Sequence, residues 1–128
     1  MGDEELVRAA ALDYFEGWYD AEESRVDRAL HPALVKRSAE PTDGERLLRT
    51  TTKQMMVDYV REGGGLADRT DETIEVTVCD VHRDIASAVV RSAQYREYLH
   101  LVRTPEGWQV VHAFWQLTEA PSGGAPDR

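Results

Sequence analysis

"DIASAVVRSAQYREYLHLVRTPEGWQVVHAFWQLTE", residues 84–119, decides the fold class of this chain. Its first twenty residues, 84–103, are too long for one strand and predict two strands or one long bent strand. "TPEG", residues 104–107, is hairpin chemistry, with Pro where φ is fixed and Gly where φ turns positive. "WQVVHAFWQLTE" reads as the last strand. Just upstream, Ile74, Val76 and Val78 alternate with Thr73, Glu75 and Thr77, the pattern of a half-buried strand. The last hairpin has two faces: Tyr98, His100, His112 and Phe114 on one, Leu99, Leu101, Ala113 and Trp115 on the other. Both are too apolar or aromatic for water, and helices can cover only one. The face with Leu99 and Trp115 is expected to meet the helices.

The first half has a helical period. Leu6, Ala10, Tyr14, Gly17 and Trp18 form a stripe, with Asp3 as N-cap. Gly17 is expected to end this helix or to admit a close neighbour. Asp20 and Glu23 read as a capping box for a second helix with Val26, Ala29, Leu30 and Ala33 on one side. Pro32 stops it, and His31 beside the helix end complements the dipole. "ALVKRSAE", residues 33–40, is a short strand, and "PTDGE", residues 41–45, is a turn. Thr51 and Gln54 suggest a capping box for a third helix bearing Met55, Met56, Tyr59 and Val60, which Gly63, Gly64 and Gly65 terminate.

"LDYFEGWYDAEE", residues 12–23, places four of the chain's ten aromatics on the first helix. Tyr14 and Trp18 share a stripe and are expected to line a cavity. Phe15 and Tyr19 lie about 100° away and are expected to pack on the second helix or on a second subunit. Helices followed by strands predict an α+β fold. Its cone-shaped, curved, mixed or antiparallel sheet wraps around three N-terminal helices and leaves an open mouth for a ligand. Residues 1–119 are expected to be one domain and residues 120–128 a flexible tail.

Composition narrows the function. A formal net charge of -9 argues against nucleic acid and anionic membrane surfaces. The lone Cys79 leaves no internal disulfide and fits a reducing compartment. "MGDEELVRAA" has no long apolar run, so neither signal peptide nor membrane span is expected, and the chain reads as cytoplasmic. The glycine run 63–65 lacks the Lys-Ser/Thr of a phosphate loop. Asp80, His82 and Asp84 alternate, but turn composition accounts for them better than metal ligation. No cofactor and no metal are expected.

"YFEGWYDAEESRVDRALHPALVKR", residues 14–37, the Met-rich third helix and "YREYLHLVR…GWQVVHAFWQ" together resemble the "putative lumazine-binding" family of the nuclear transport factor 2-like superfamily. The resemblance spans residues 5–118. It implies a heteroaromatic ligand and a homodimer whose sheets pair back to back. The superfamily also holds ketosteroid isomerases, polyketide cyclases and limonene epoxide hydrolases. Against the isomerases, Tyr14 falls on the oxyanion-donor position. The general-base position, in "ALVKRSA", holds Lys36, Arg37 and Ser38, and the second-donor position near Tyr98 or Leu99 has no Asp. That mechanism is therefore excluded. Against the epoxide hydrolases, Arg37 and Asp80 match two parts of a water-activating set.

Asp80 is in phase with Ile74, Val76 and Val78, so it is either a pocket acid paired with Arg37 or part of a solvated "DVHRD" turn. Tyr14, Arg37 and Asp80 are the candidate catalytic residues. Trp18, Met55, Met56, Tyr59, Leu99 and Trp115 are the candidate ligand contacts. His100 and His112 share a face and line either the pocket or a dimer interface. The function expected is binding of a flat, largely apolar or heteroaromatic small molecule. The alternative is a cofactor-independent cyclase, isomerase or hydrolase in the same pocket.

Overall fold

The computed structural model describes residues 2–40 and 48–119, so the expected turn at 41–45 and the tail at 120–128 lie outside the described residues. Helix α1 spans Asp3–Asp20, with Asp3, Glu4 and Glu5 in its first turn at the positive end of the dipole. Its N-cap is Gly2 rather than Asp3. The helix runs through Gly17 and closes on Ala21, which is left-handed at φ 54°. Gly17 serves close approach: a Cβ there would stand 2.7 Å from Val26 Cγ2. Val26 belongs to helix α2, Glu23–Ala29, which Arg25 clamps to α1 through Asp13 at 3.1 Å and Glu16 at 2.5 Å. The capping box expected from Asp20 and Glu23 is not formed: the N-cap is Glu22, and Asp20 pairs with Arg69.

Strand β1, Leu30–Ser38, begins at once and absorbs His31 and Pro32, which were expected to close α2. The Nδ1 of His31 accepts the Ala33 N–H at 2.9 Å. Pro32 is tolerated because it falls where the β1 pairing shifts register, so its missing donor breaks no ladder bond. Strand β2, Arg49–Thr51, escaped the sequence reading. Helix α3, Lys53–Arg61, is capped one residue later than expected, by Thr52, whose side chain accepts the Met55 N–H. Then come β3 (Glu75–His82), β4 (Ile85–Arg91), β5 (Tyr95–Thr104) and β6 (Gly107–Leu117).

The strands form one mixed sheet in the order β2-β1-β6-β5-β4-β3, with β1 parallel to β6 and the other pairs antiparallel. The fold is α+β, with the helices against one sheet face. Leu99, Leu101 and Ala113 are buried on that face, while Tyr98 and Phe114 point outward, 52% and 47% exposed. Period-two alternation separates the two sets, and burying either Leu99 or Leu101 contributes about 1.5–3 kcal/mol. Besides the β1 shift at Pro32, two bulges break the alternation: Cys79 is the extra residue on β3 against β4, and Val111 the extra residue on β6 against His100 and Leu101 of β5.

Helix α1 lies in the hollow of the sheet and is enclosed from several sides: Val7, Ala11, Tyr14, Phe15 and Tyr19 are all buried. Phe15 and Tyr19 therefore do not serve only a second helix or subunit. The Tyr19 hydroxyl meets Ser92 Oγ and Gln94 Oε1, both at 2.8 Å, in the β4–β5 connection. No helix of the described residues is long and apolar enough to cross a membrane.

After α3, Gly63 takes φ 79° and a 3-10 turn, Leu66–Asp68, folds back onto α1. A Cβ on Gly65 would lie 2.3 Å from the backbone oxygen of Trp18. Backbone cannot yield as a side-chain tip can, so Gly65→Ala should cost about 1–3 kcal/mol. Gly2, whose Cβ would meet nothing within 4 Å, is the control. Urea unfolding of Gly65→Ala and Gly2→Ala checks this; equal midpoints would refute the close approach.

Candidate functional site

Three elements meet at the floor of a cavity of about 260 Å³. Tyr14 comes from α1, Lys36 and Ser38 from β1, and Glu97 from β5. Phe15, Trp18, Met56, Tyr59, Tyr95 and Trp115 supply apolar walls, while Arg49 and Thr51 of β2 complete the lining. Lys36 and Ser38 point inward because they keep step with the buried Leu34, two residues apart along a strand. Glu97 points inward because it keeps step with Leu99 and Leu101.

Lys36 Nζ donates to the Tyr14 hydroxyl at 2.5 Å, and that hydroxyl donates to Glu97 Oε2 at 2.5 Å. Lys36 Nζ also stands 3.8 Å from Glu97 Oε1. Glu97 is 2% exposed and the Lys36 side chain 13%. The two charges compensate one another where water cannot. Removing one partner of such a pair costs about 3–5 kcal/mol, because the other is left charged and unmatched. The ammonium also lies 5.1 Å from the Tyr14 ring centroid and 5.7 Å from that of Trp115, which adds cation–π attraction.

Burial pushes the Lys36 ammonium below the ordinary lysine value, and the Glu97 carboxylate pulls it back in part. Burial also holds the Tyr14 phenol well above the usual tyrosine value, and the facing Glu97 charge adds to this. The Tyr14 proton is committed to Glu97, so Lys36, with N–H bonds to spare, is the donor left for a ligand. The rim is braced separately: the Tyr95 hydroxyl donates to Asp68 Oδ2 at 2.9 Å, and its ring meets Trp115 edge-on at 5.3 Å.

Of the residues singled out in the sequence, Tyr14, Trp18, Met56, Tyr59 and Trp115 line this cavity. Met55 and Leu99 are not among its lining residues: Met55 is 37% exposed on α3 and Leu99 lies in the core at 1%. Arg37 and Asp80 do not come together. Arg37 sits one residue out of phase with Lys36 and is exposed on the other sheet face, opposite Phe114 in the β1–β6 register. Asp80 is exposed because the β3 bulge places Cys79 as an extra residue between Val78↔Ala88 and Asp80↔Ser87, reversing the phase. β1 and β3 are also four strand spacings apart, about 19 Å along the sheet. Asp80 instead borders an outer groove with His31, His82, His100 and His112. The sequence reading missed Glu97 and passed over Lys36 in favour of Arg37. Strict alternation from Leu99 and from Leu34 points to both.

The raised phenol value has a stability consequence. Below about pH 10 Tyr14 is protonated whether folded or not. Above that, the unfolded chain gives up the proton first, so folding stability falls as pH rises toward the folded value. Tyr19 and Tyr95, also raised mainly by burial, act in the same sense. Lys36 acts oppositely, since stability rises with pH between its lowered value and the ordinary 10.5, and then no further. Urea midpoints should therefore drop above about pH 10.5, and more gently in Tyr14→Phe. Parallel alkaline limbs in parent and variant would refute the burial of this phenol.

The family model described as "Putative lumazine-binding" matches residues 2–116. No curated protein matches the chain in sequence. Among solved structures, the fold is similar to a nuclear transport factor 2-like protein of unknown function from Silicibacter pomeroyi, with a TM-score of 0.70, 15% identity and coverage of 91% of this chain and 99% of that one. It is similar to a nuclear transport factor 2-like protein with a cystatin-like fold from Novosphingobium aromaticivorans, with a TM-score of 0.68, 16% identity and coverage of 94% and 84%. A ketosteroid isomerase-like protein from Erwinia carotovora atroseptica gives a TM-score of 0.66, 15% identity and coverage of 92% and 98%. These likenesses concern the fold, and the match over nearly the whole chain settles the family: the protein belongs to the "Putative lumazine-binding" family and has the nuclear transport factor 2-like fold.

Proposed function

We propose that this protein holds a flat, largely apolar or heteroaromatic small molecule in the cone cavity, its polar edge toward Lys36. The observation that carries this reading is an aromatic-walled cavity of about 260 Å³ with a buried, hydrogen-bonded Lys36–Tyr14–Glu97 floor. Its volume is at the small end of ligand pockets, suiting a molecule of one to a few fused rings. Trp18, Trp115 and Phe15 offer ring faces and edges, and Met56 adapts to shape. The family's description points to the same class of ligand.

A second reading has a specific observation behind it. The floor holds a carboxylate, a phenol and an amine in one hydrogen-bonded chain, which is acid–base equipment. In that reading the protein is a cofactor-independent cyclase, isomerase or hydrolase working through Glu97, Tyr14 and Lys36. The reading takes residues 1–119 as one domain with a tail at 120–128, in a reducing, cytoplasmic setting that suits the lone Cys79.

Lumazine and 2-naphthol are suitable probes, because Trp18 and Trp115 flank the cavity and report on it by fluorescence. Ser38→Leu, at a buried lining position, should fill the space and weaken binding by about tenfold or more, which is 1.4 kcal/mol or above. Probe titration of parent and variant checks it, with near-UV circular dichroism confirming that the variant is folded. Equal affinities would place the ligand elsewhere.

The proposal includes a homodimer formed by the outer sheet face. Tyr98 and Phe114 are register partners there, both about half exposed, and Ile85 is 58% exposed on the neighbouring strand. Light scattering should give twice the 14.5 kDa chain mass, and Phe114→Glu should return it to one. A parent that scatters as a monomer at micromolar concentration removes this part.

A further inference from the structure

We infer that Lys36 is a covalent carbonyl-capturing amine: it forms an imine with an aromatic aldehyde or ketone seated in the cone cavity. This rests on the reading of the cavity as a small-molecule site and adds the class of ligand, a flat carbonyl compound. Three observations support it. First, Lys36 Nζ is at the cavity floor beneath aromatic walls, with the Tyr14 and Trp115 rings within 6 Å. A carbonyl compound stacked on those walls is delivered to the amine as an intramolecular partner. Second, the amine stands at the head of a proton path, Lys36 Nζ to the Tyr14 hydroxyl to Glu97 Oε2, with both steps 2.5 Å. Third, Glu97 is 2% exposed and the Lys36 side chain 13%, so a shift along this path that removes both charges sacrifices little solvation.

The step balances within these groups. The ammonium passes one proton to the Tyr14 oxygen as Tyr14 passes its own to Glu97, leaving a neutral amine, a neutral phenol and a carboxylic acid. The nitrogen lone pair forms a C–N bond at the carbonyl carbon, and the C=O π electrons move to oxygen. That oxygen takes the proton held by Glu97, returned through Tyr14, and a second one from nitrogen. The C–O bond then breaks, water leaves, and the C=N bond forms. Glu97 is again a carboxylate if the imine nitrogen is protonated, so the charge of the pair is unchanged. Nothing is oxidised or reduced.

The chain suits a direct test because it has two lysines, Lys36 and Lys53. Lys53 carries no such path: it pairs with Asp27 at 3.3 Å. The full chain is incubated with 2-naphthaldehyde and cyanoborohydride, which reduces an imine to a stable secondary amine, and the adduct is mapped by peptide mass. Labelling at Lys36 should exceed that at Lys53 by about tenfold or more, as expected of an amine that burial keeps reactive. Excess 2-naphthol, which lacks the carbonyl, should suppress labelling at Lys36 and leave Lys53 unchanged. Lys36→Arg keeps a cation beside Glu97 without the nucleophile and should lose the cavity adduct.

If Lys36 is labelled no more than Lys53 while 2-naphthol still alters tryptophan fluorescence, the imine proposal is overturned and the cavity reading stands. If neither compound alters fluorescence and Lys36 is unlabelled, both fall. The wild-type competition needs no variant, so the test survives a Lys36→Arg chain that fails to fold.

Discussion

A carboxylate that is 2% exposed must be answered by a positive charge and by hydrogen bonds, or it must be protonated. Glu97 is answered by Lys36, with Tyr14 between them. This one requirement ties β5, β1 and the middle of α1 to a single point. β1 and β5 are not neighbours in the sheet, since β6 lies between them. The pair therefore meets over β6 on the inner face of the sheet, and the Tyr14 phenol ties α1 to it. The cavity is the space left over when aromatic side chains surround this polar core without filling it.

The aromatic helix follows from the same geometry. A helix on a flat surface needs one apolar stripe. α1 lies within a hollow, beneath α2 and the 3-10 turn, and shows buried side chains around more than one side: Tyr14 and Phe15 toward the cavity, Tyr19 toward the β4–β5 connection. Two glycines make the enclosure possible. Gly17 admits Val26 of α2, and Gly65 lets the turn after α3 touch the backbone of Trp18. The cavity wall at Trp18 is thus held by a contact that no side chain on Gly65 would permit.

The two sheet faces divide their work by alternation. The inner face carries the core and the polar floor, and the outer face carries Tyr98, Phe114 and the groove bordered by the four histidines. Each bulge exchanges the faces for the residues beyond it. This is why Asp80 faces outward although Val76 and Val78, the even positions before it, face inward. A single inserted residue moved a candidate acid from the cavity to solvent.

The sequence by itself determined the three main helices, the long strands of the second half and the two faces of the last hairpin. Period two from Ile74 onward, the turn at "TPEG" and the helical stripes before it are local patterns, and local patterns survive folding. Alternation also separated the Leu99 and Ala113 face from the Tyr98 and Phe114 face. Element ends were less legible: α2 yielded His31 and Pro32 to β1, and the third helix start moved from Thr51 to Thr52, because neighbouring caps and strand pairing compete over one or two residues. Only the tertiary structure decided the site. Alternation from the buried Leu34 turns Lys36 rather than Arg37 inward, but that it meets a carboxylate there was decided in space. Whether an acid met it depended on Glu97, sixty-one residues away in sequence, and on a bulge that turned Asp80 outward. Charge pairing in a low-dielectric interior is settled by distance in space, and no spacing along the chain encodes that distance.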